Sequence, residues 1–434
     1  MLVGTGSKYG IVDLPKGPIK LKDALKLGDM EMMQDRRAEW NQIYAEGWRQ
    51  MRDFFYAENM HGVDWEAVKK KYQPLVKHVN HRNDLTYLLG EMIGELNAGH
   101  AYVGGGDRPS PKRVRTGLLG AQFSKHSSGY FKIDMILEGE NWGKRRRSPL
   151  RDLGVNVSAG DYILAIDGKS TKDMKNMYTA LVNTVGKQVV LTVNGKPSTA
   201  GSRNVTVEPI SDEAPLYYYN WVQENIEKVS KATNGEVGYI HVPDMGPNGL
   251  NEFVKHFYPQ MRKKALIIDV RGNGGGNVSP MLIERLRREV VMITMSRNVD
   301  PDVNPGDVMW GPMVCLLNEF SASDGDLFAW RFKHHKLGKL IGKRSWGGVV
   351  GIRGSLPYVD GGSMNKPEFS RYDLAGKEWI IENIGVYPDI VVDNDPAKEF
   401  AGEDQQLNRA ISEILNDLKT KRKTVAPQPP EPVR

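Results

Sequence analysis

The sequence predicts an α+β chain of several domains, and three observations carry that prediction. The first hundred or so residues repeat apolar positions three and four apart, the period of helices packed on one side. The middle is cut into short runs bounded by glycine and polar turns, which read as strands. The second half alternates near-continuous apolar runs with helical patterns, the mark of parallel strands covered on both faces. A length of 434 residues fits about two to four domains. The divisions expected are 1–105, 106–212, 213–420 and a tail at 421–434.

Bulk properties exclude several classes. Apolar residues make up 40% and charged residues 26%, an ordinary globular balance. The net charge of +6 arises from 59 basic and 53 acidic residues that are interspersed, so no concentrated positive field points to nucleic acid. The basic run GKRRRSP at 143–149 reads as a solvated loop. The single cysteine, Cys315, rules out an intrachain disulfide. It argues against a disulfide-stabilised secreted scaffold without excluding export. No apolar run approaches the roughly twenty residues of a membrane span. The opening MLVGTGSKYGIVDLPKG has too short an apolar run for a signal peptide. It reads as a strand end and a loop, an abrupt start that suggests further domains upstream. A cytoplasmic location is the default expectation; a periplasmic or exported one stays open if an upstream signal has been removed. The Pro-rich end KRKTVAPQPPEPVR is expected to be disordered.

Taken in order, residues 20–103 read as helices: LKDALKLGDMEMMQDRRAEWNQIYAEGWRQMRDFFYAE, then DWEAVKKKYQPLVKHV and RNDLTYLLGEMIGELN. Asp64 and Asn83 are the expected N-caps. The piece ends in the Gly-rich break NAGHAYVGGGDRP. Residues 113–210 read as short strands, among them GLLGAQF, DYILAIDG and QVVLTV, interrupted by one helix, TKDMKNMYTALVNTV. The order GVNVSAGDYILAIDGKST, helix, GKQVVLTV resembles a PDZ domain, in which a groove beside the helix takes an extended peptide by strand addition. A generic small β-barrel is the alternative. From 213 to 420, EVGYIHVPD, KALIIDVRG and PMVCLLNE are strands, with helices NEFVKHFYPQMRK, SPMLIERLRREV and DGDLFAWRFKH between and after them.

Chemistry has two obvious places to sit. In IIDVRGNGGGN (267–277) a strand runs into a glycine cluster. A phosphate loop would need Gly-Lys-Ser/Thr at its end, and Asn277-Val278-Ser279 is not that. A dinucleotide fingerprint counted from Gly272 puts Asn277 where the third glycine belongs. An oxyanion hole needs only an aimed N–H, which this loop can supply; a plain tight turn is the other reading. In VCLLNEFSASDGDLFAW (314–330) a buried strand turns into a helix through two serines. Ser323, at the mouth of the helix and followed by Asp324, is the better nucleophile candidate, although the local sequence is not the G-x-S-x-G elbow. Ser321 reads as an N-cap. A serine needs a base. His334 and His335 suit a helix C-terminus, and His78, His81 and His126 lie in polar stretches. His100, alone among small residues in AGHAYV, is the candidate base. Glu382, an acid expected just after an apolar strand in WIIENIGVYPDIVVD, is the candidate that orients it.

NAGHAYV, IIDVRGNGGGNVS, NEFSASDGD, GKLIGKRSWGGVVGI and ENIGVYPDI together resemble the C-terminal half of the tricorn proteases, within the tail-specific (C-terminal processing) serine peptidase clan. The resemblance covers roughly residues 20–418 and lacks the propeller domains that precede this half in that family. It implies a helical core part, a PDZ-like β-barrel and a crotonase-like α/β core. It implies Ser323 as nucleophile, His100 as general base, Glu382 as charge-relay acid, Gly276 and Asp324 as oxyanion N–H donors, and Gly275 and Thr294 at the substrate. It implies a peptide or unfolded polypeptide as substrate, assembly into homo-oligomers, and neither cofactor nor metal. Two departures matter. The family has a serine before the histidine, where this chain has Gly99. The family places an aspartate in the pocket for a basic P1 side chain, where this chain has Thr294. An apolar or small polar P1 residue is therefore expected, unless Asp300 or Asp302 enters the pocket. The alternatives are a catalytically weak PDZ peptide-binding protein and a crotonase-type acyl-CoA enzyme.

Overall fold

The structure, a computed structural model, describes every residue except 6, 7, 15, 19, 20, 22, 354, 355 and 434. Its contacts divide it into two compact units. The first comprises Met1–Asn97, Tyr102–Arg108 and Gly354–Lys366; the second comprises Ala98–Ala101, Pro109–Arg353 and Pro367–Arg434. No helix among the described residues is long and apolar enough to cross a membrane.

The first unit is built on helices α1 (Arg36–Phe54), α2 (Trp65–Tyr72) and α3 (Arg82–Gly94). Trp48 and Trp65 each donate an indole N–H to the other's carbonyl, at 2.8 and 3.1 Å. A buried pair, Arg82–Asp360 at 2.5 Å, lies in the same unit. The helix expected from about residue 21 starts only at Arg36, where Asp35 accepts the N–H groups of Arg37 and Ala38. Upstream, Met30, Met32 and Met33 are exposed. Helical periodicity without a surface to pack on does not nucleate a helix in water. Asp64 caps α2 as expected. The cap of α3 is His81, which forms a reciprocal box with Asp84, two residues ahead of the expected Asn83.

The second unit holds an antiparallel sheet and a parallel sheet. The antiparallel sheet runs Ala121–Lys125, Phe131–Ile136, Tyr162–Ile166, Val189–Asn194, Arg203–Val207 in spatial order, and encloses a core of its own. The helix expected at 171–185 is reduced to a 3₁₀ turn, Met177–Leu181, whose first N–H groups are met by Asn176. After it follows α4 (Ala214–Ala232). The parallel sheet then runs Val237–His241, Ala265–Asp269, Met313–Leu317, Gly338–Gly342, Ile390–Val391. The first three strands are buried at all five positions. That is why they read as apolar runs without alternation. One face is covered by α5 (Pro247–Gln260), α6 (Ser279–Leu286) and α7 (Asp324–His334), through Phe253, Leu282, Phe328 and Phe332. The other is covered by Val229 of α4 and by Leu407 and Ile414 of the last helix, Gln405–Lys421. Residues 422–433 carry neither helix nor strand.

The two sheets are joined by a buried ionic cluster. Arg146 pairs with Glu140 at 2.9 Å and Glu252 at 2.7 Å, and its guanidinium lies over Tyr218 and Tyr219. Burial works against ionisation of Glu252, but hydrogen bonds from His256 and Arg146 prevail and hold its carboxyl down to about 2. A separate hairpin, Met292–Ser296 with Val299–Asn304, stands out from this unit with nearly all its side chains exposed.

Candidate active site

The strand Met313–Leu317 ends and the chain turns into α7 through Ser321, Ala322 and Ser323. Ser321 is not a helix cap. It is fully buried, donates from Oγ to Val270 O at 2.8 Å and accepts Asn318 N–H at 3.1 Å, tying the ends of two neighbouring strands. Ser323 occupies the N-cap position with φ 56° and ψ −119°, and its hydroxyl makes no capping bond. An L-residue at positive φ costs about 1–3 kcal/mol and persists only where its surroundings impose it. Here they do. Ala322 N–H bonds to Asn273 O at 2.8 Å, and Asn273, buried, also accepts Gly275 N–H at 3.0 Å and donates to Val242 O at 2.8 Å.

The glycine cluster passes directly over this turn. A Cβ on Gly275 would lie 2.6 Å from Ser323 Cβ and 2.9 Å from Asp324 N, and its φ is +100°. Gly276 is bridged to Met245 in parallel fashion: Met245 N–H bonds to Gly275 O, and Asn277 N–H bonds to Met245 O. In that pattern the N–H of Gly276 itself faces away from Met245. Neither Gly276 N–H nor Asp324 N–H has an acceptor among the described residues. Asp324 opens α7, so its N–H carries the positive end of the helix dipole. Its carboxylate is turned aside, to Ser279 N–H at 2.9 Å and Ser279 Oγ at 2.5 Å. The acceptor-free N–H of Asp324 thus directly follows the Ser323 hydroxyl and that of Gly276 follows the glycine packed on Ser323, and N–H groups so left open can stabilise negative charge developing on a nearby oxygen.

His100 is partly exposed, and its Nδ1 lies 2.6 Å from Val350 O. A carbonyl only accepts, so Nδ1 donates here; in the neutral ring this makes Nε2 the basic nitrogen, the tautomer a general base requires. The ring meets Trp346 edge to face at 6.1 Å. Glu382 does not follow a strand. It stands on an irregular turn between Ile381 (φ 71°) and Asn383 (φ 59°). Its hydrogen bonds go to backbone N–H groups: Gly99 at 3.1 Å, Val349 at 2.6 Å and Val350 at 2.9 Å. Glu382 thus grips the segment before His100 and the segment whose carbonyl holds His100. Gly99 does not have a left-handed φ, and a Cβ there would lie 3.7 Å from Glu382 Oε1.

Thr294 is exposed on the projecting hairpin and accepts from Asn304 Nδ2 at 3.2 Å. Asp302, on the same hairpin, is paired with Arg262 at 3.0 Å. The sequence reading missed Asn273, Trp346 and the Val350 carbonyl. The first two stand in stretches it had marked, RGNGGGN and RSWGGVVG, but a backbone carbonyl carries no sequence signal. It also missed Asp326, which is fully buried and accepts Gly347 N–H at 2.9 Å.

Three family models match this chain. Residues 236–392 match peptidase family S41, residues 36–94 the tricorn protease C1 domain, and residues 117–212 the tricorn protease PDZ domain. The chain is 39% identical over 407 residues to tricorn protease homolog 1 of Streptomyces coelicolor, covering 93% of this chain and 37% of that protein. It is 33% identical over 395 residues to the tricorn protease of Thermoplasma volcanium, covering 91% of this chain and 38% of that protein. The crystal structure of the tricorn protease superposes with a TM-score of 0.85 at 30% identity, over 92% of this chain and 38% of that one. The chain thus spans less than half the length of each of these proteins.

Proposed function

We propose, from the premise that this chain belongs to the tricorn type of peptidase family S41, that it is a serine peptidase hydrolysing peptides or unfolded polypeptides through an acyl-enzyme on Ser323. One observation carries the reading: Ser323 is held at positive φ, the acceptor-free N–H of Asp324 follows it, and Gly275 packs on it just before the acceptor-free N–H of Gly276. His100 Nε2 takes the Ser323 proton as Oγ attacks the scissile carbonyl. The two N–H groups receive the oxyanion. The protonated imidazole then gives its proton to the leaving amine, and a water attacks the ester by the same route in reverse. Glu382 contributes by fixing both backbone segments around the imidazole. Gly275 leaves room for the substrate carbonyl over Ser323.

Residues 213–420 are proposed as a crotonase-like catalytic core and 106–212 as a PDZ-like β-barrel that captures an extended peptide. Residues 1–105 carry the base, and a homo-oligomer is the proposed assembly. A basic P1 side chain needs an opposing carboxylate when buried. Thr294 supplies none, and Asp302 is already paired, so an apolar or small polar P1 is proposed. Dominant cleavage after Lys or Arg in a mixed peptide library would contradict this. The central test is labelling with a fluorophosphonate. Wild type labels at Ser323, while Ser323→Ala does not label and loses about 10⁴-fold in kcat. Labelling that persists in Ser323→Ala overturns the nucleophile.

A further inference from the structure

We infer that Asp326 is a positioning residue that locks the Ser323 turn to the 345–350 segment, so that one buried carboxylate sets nucleophile and base together. This rests on the reading of Ser323 and His100 given above. Asp326 lies three residues past Ser323, in the first turn of α7, and is fully buried. Its Oδ1 accepts Gly347 N–H at 2.9 Å. The Ser345 hydroxyl and the N–H groups of Ser323 and Gly348 also face the carboxylate, and Oδ2 is buried without a partner at full hydrogen-bond geometry. The segment it grips is the one that matters for the base. Trp346 donates its N–H to Ser321 O at 3.0 Å and meets the His100 ring, and three residues on from Gly347 the Val350 carbonyl holds His100 Nδ1.

The other charged side chains of the same helix are engaged elsewhere: Asp324 with Ser279, Arg331 with both, and Lys333 with Asp389. On the flanking loop Glu319 pairs with Lys343, and Arg344 donates to Ile384 O. The groups facing Asp326 are donors without charge, so they favour its ionised form through hydrogen bonds alone. Burial outweighs them and raises its carboxyl to about 6. An apolar residue would fill this space with less desolvation, but it would leave the Ser323 and Gly347 N–H groups without an acceptor. The carboxylate fits a requirement for geometry at Ser323 rather than for stability.

The experiment compares wild type and Asp326→Asn, using fluorophosphonate labelling rates and steady-state cleavage of an Ala-Ala-Phe coumarin amide between pH 4.5 and 9. Asp326→Asn keeps the volume but turns an N–H₂ toward donors. The expected result is a fall of about 10-fold or more in kcat with KM within about threefold. The acid limb of the wild-type rate profile should fall with two protons, and that of the variant with one. Unchanged kcat, or KM and kcat falling together, overturns the inference. Should Asp326→Asn not fold, Ser345→Ala, which removes one donor facing the carboxylate, takes its place, and an unchanged kcat overturns the inference. Labelling that persists in Ser323→Ala removes the nucleophile and the inference with it. A normal profile for Asp326→Asn with Ser323 labelled removes the inference alone.

Discussion

Ser323 at φ 56° is a residue in a conformation its own chemistry disfavours, and the residues around it exist to hold it there. Gly275 is the closest of them. Gly275→Ala meets two obstacles at once, a φ of +100° and a Cβ only 2.6 Å from Ser323 Cβ. The expected outcome in steady-state assays is a loss of kcat of about 10²-fold or more with KM little changed. Gly99→Ser meets neither obstacle, since its φ is not left-handed and Glu382 Oε1 lies 3.7 Å from the new Cβ. Its hydroxyl can bridge toward Glu382, and kcat should rise a few-fold, well below the roughly 10²–10⁴-fold that a whole positioned acid–base group contributes. A variant no faster than wild type would show that the backbone clamp of Glu382 already suffices. Ser321→Ala removes a buried hydroxyl bonded on both sides and should cost about 1–3 kcal/mol by urea unfolding, so its activity must be read per folded molecule. The place of Ser323 on a strand-to-helix turn was legible in the sequence, because an apolar run followed by small hydroxyls and a helical pattern is local. The buried duty of Ser321 was not, because its partner, Val270, lies 51 positions away.

Among the elements, the strand Met313–Leu317 is the best specified. All five residues are buried between parallel neighbours, and burying each Val or Leu contributes about 1.5–3 kcal/mol. Cys315 sits in its centre, where burial and then the nearby Asp269 push its thiol well above the usual range. It should resist iodoacetamide in the native state and react only on unfolding, followed by intact-mass measurement. Fast alkylation of folded protein would contradict this burial. The helices that cover the sheet were legible by the same logic, since α5, α6 and α7 each have an apolar face with a sheet to meet. The helix expected at 171–185 had the period, and Met177 and Leu181 are buried in the core of the antiparallel sheet, but only a 3₁₀ turn forms there. Asn176 ends the approach by capping Tyr178 N–H, and Val182 leaves the turn in an extended conformation. Thr294 stands on a hairpin that pairs with itself and leaves its side chains exposed.

At the scale of the molecule, the antiparallel and parallel sheets meet through charges. Arg146 and Glu252 are 106 positions apart in the chain, and the side chains of Arg146, Glu140 and Glu252 are all largely buried. Removing one partner of such a cluster leaves uncompensated buried charge. Arg146→Met should therefore destabilise the chain by about 3–5 kcal/mol at pH 7. The pH dependence has a definite sign. The folded carboxyl of Glu252 lies at about 2, below its ordinary value of 4.5, so its contribution is complete above pH 4.5 and is lost as pH falls toward 2. The gap in Tm between wild type and Arg146→Met should be widest at neutral pH and narrow steadily below pH 4.5. A gap independent of pH would remove the electrostatic account.

The sequence by itself determined what depends on neighbours along the chain: the period of the covering helices, the unbroken apolar strands, the glycine cluster and the serine at the strand-to-helix turn. These are local because backbone propensity and one-sided burial act over a few residues. Only the tertiary structure decided what each polar group near Ser323 does. Glu382 reaches His100 through backbone N–H groups 32 to 283 positions away, and the tautomer of His100 is set by the carbonyl of Val350. Asp326 reads in sequence as one acid of a helix start, yet it is buried under the turn it orders. A hydrogen bond is a contact at about 3 Å with a required direction. Which donor and acceptor meet at that distance follows from how distant strands and loops pack, and from nothing written beside them in the chain.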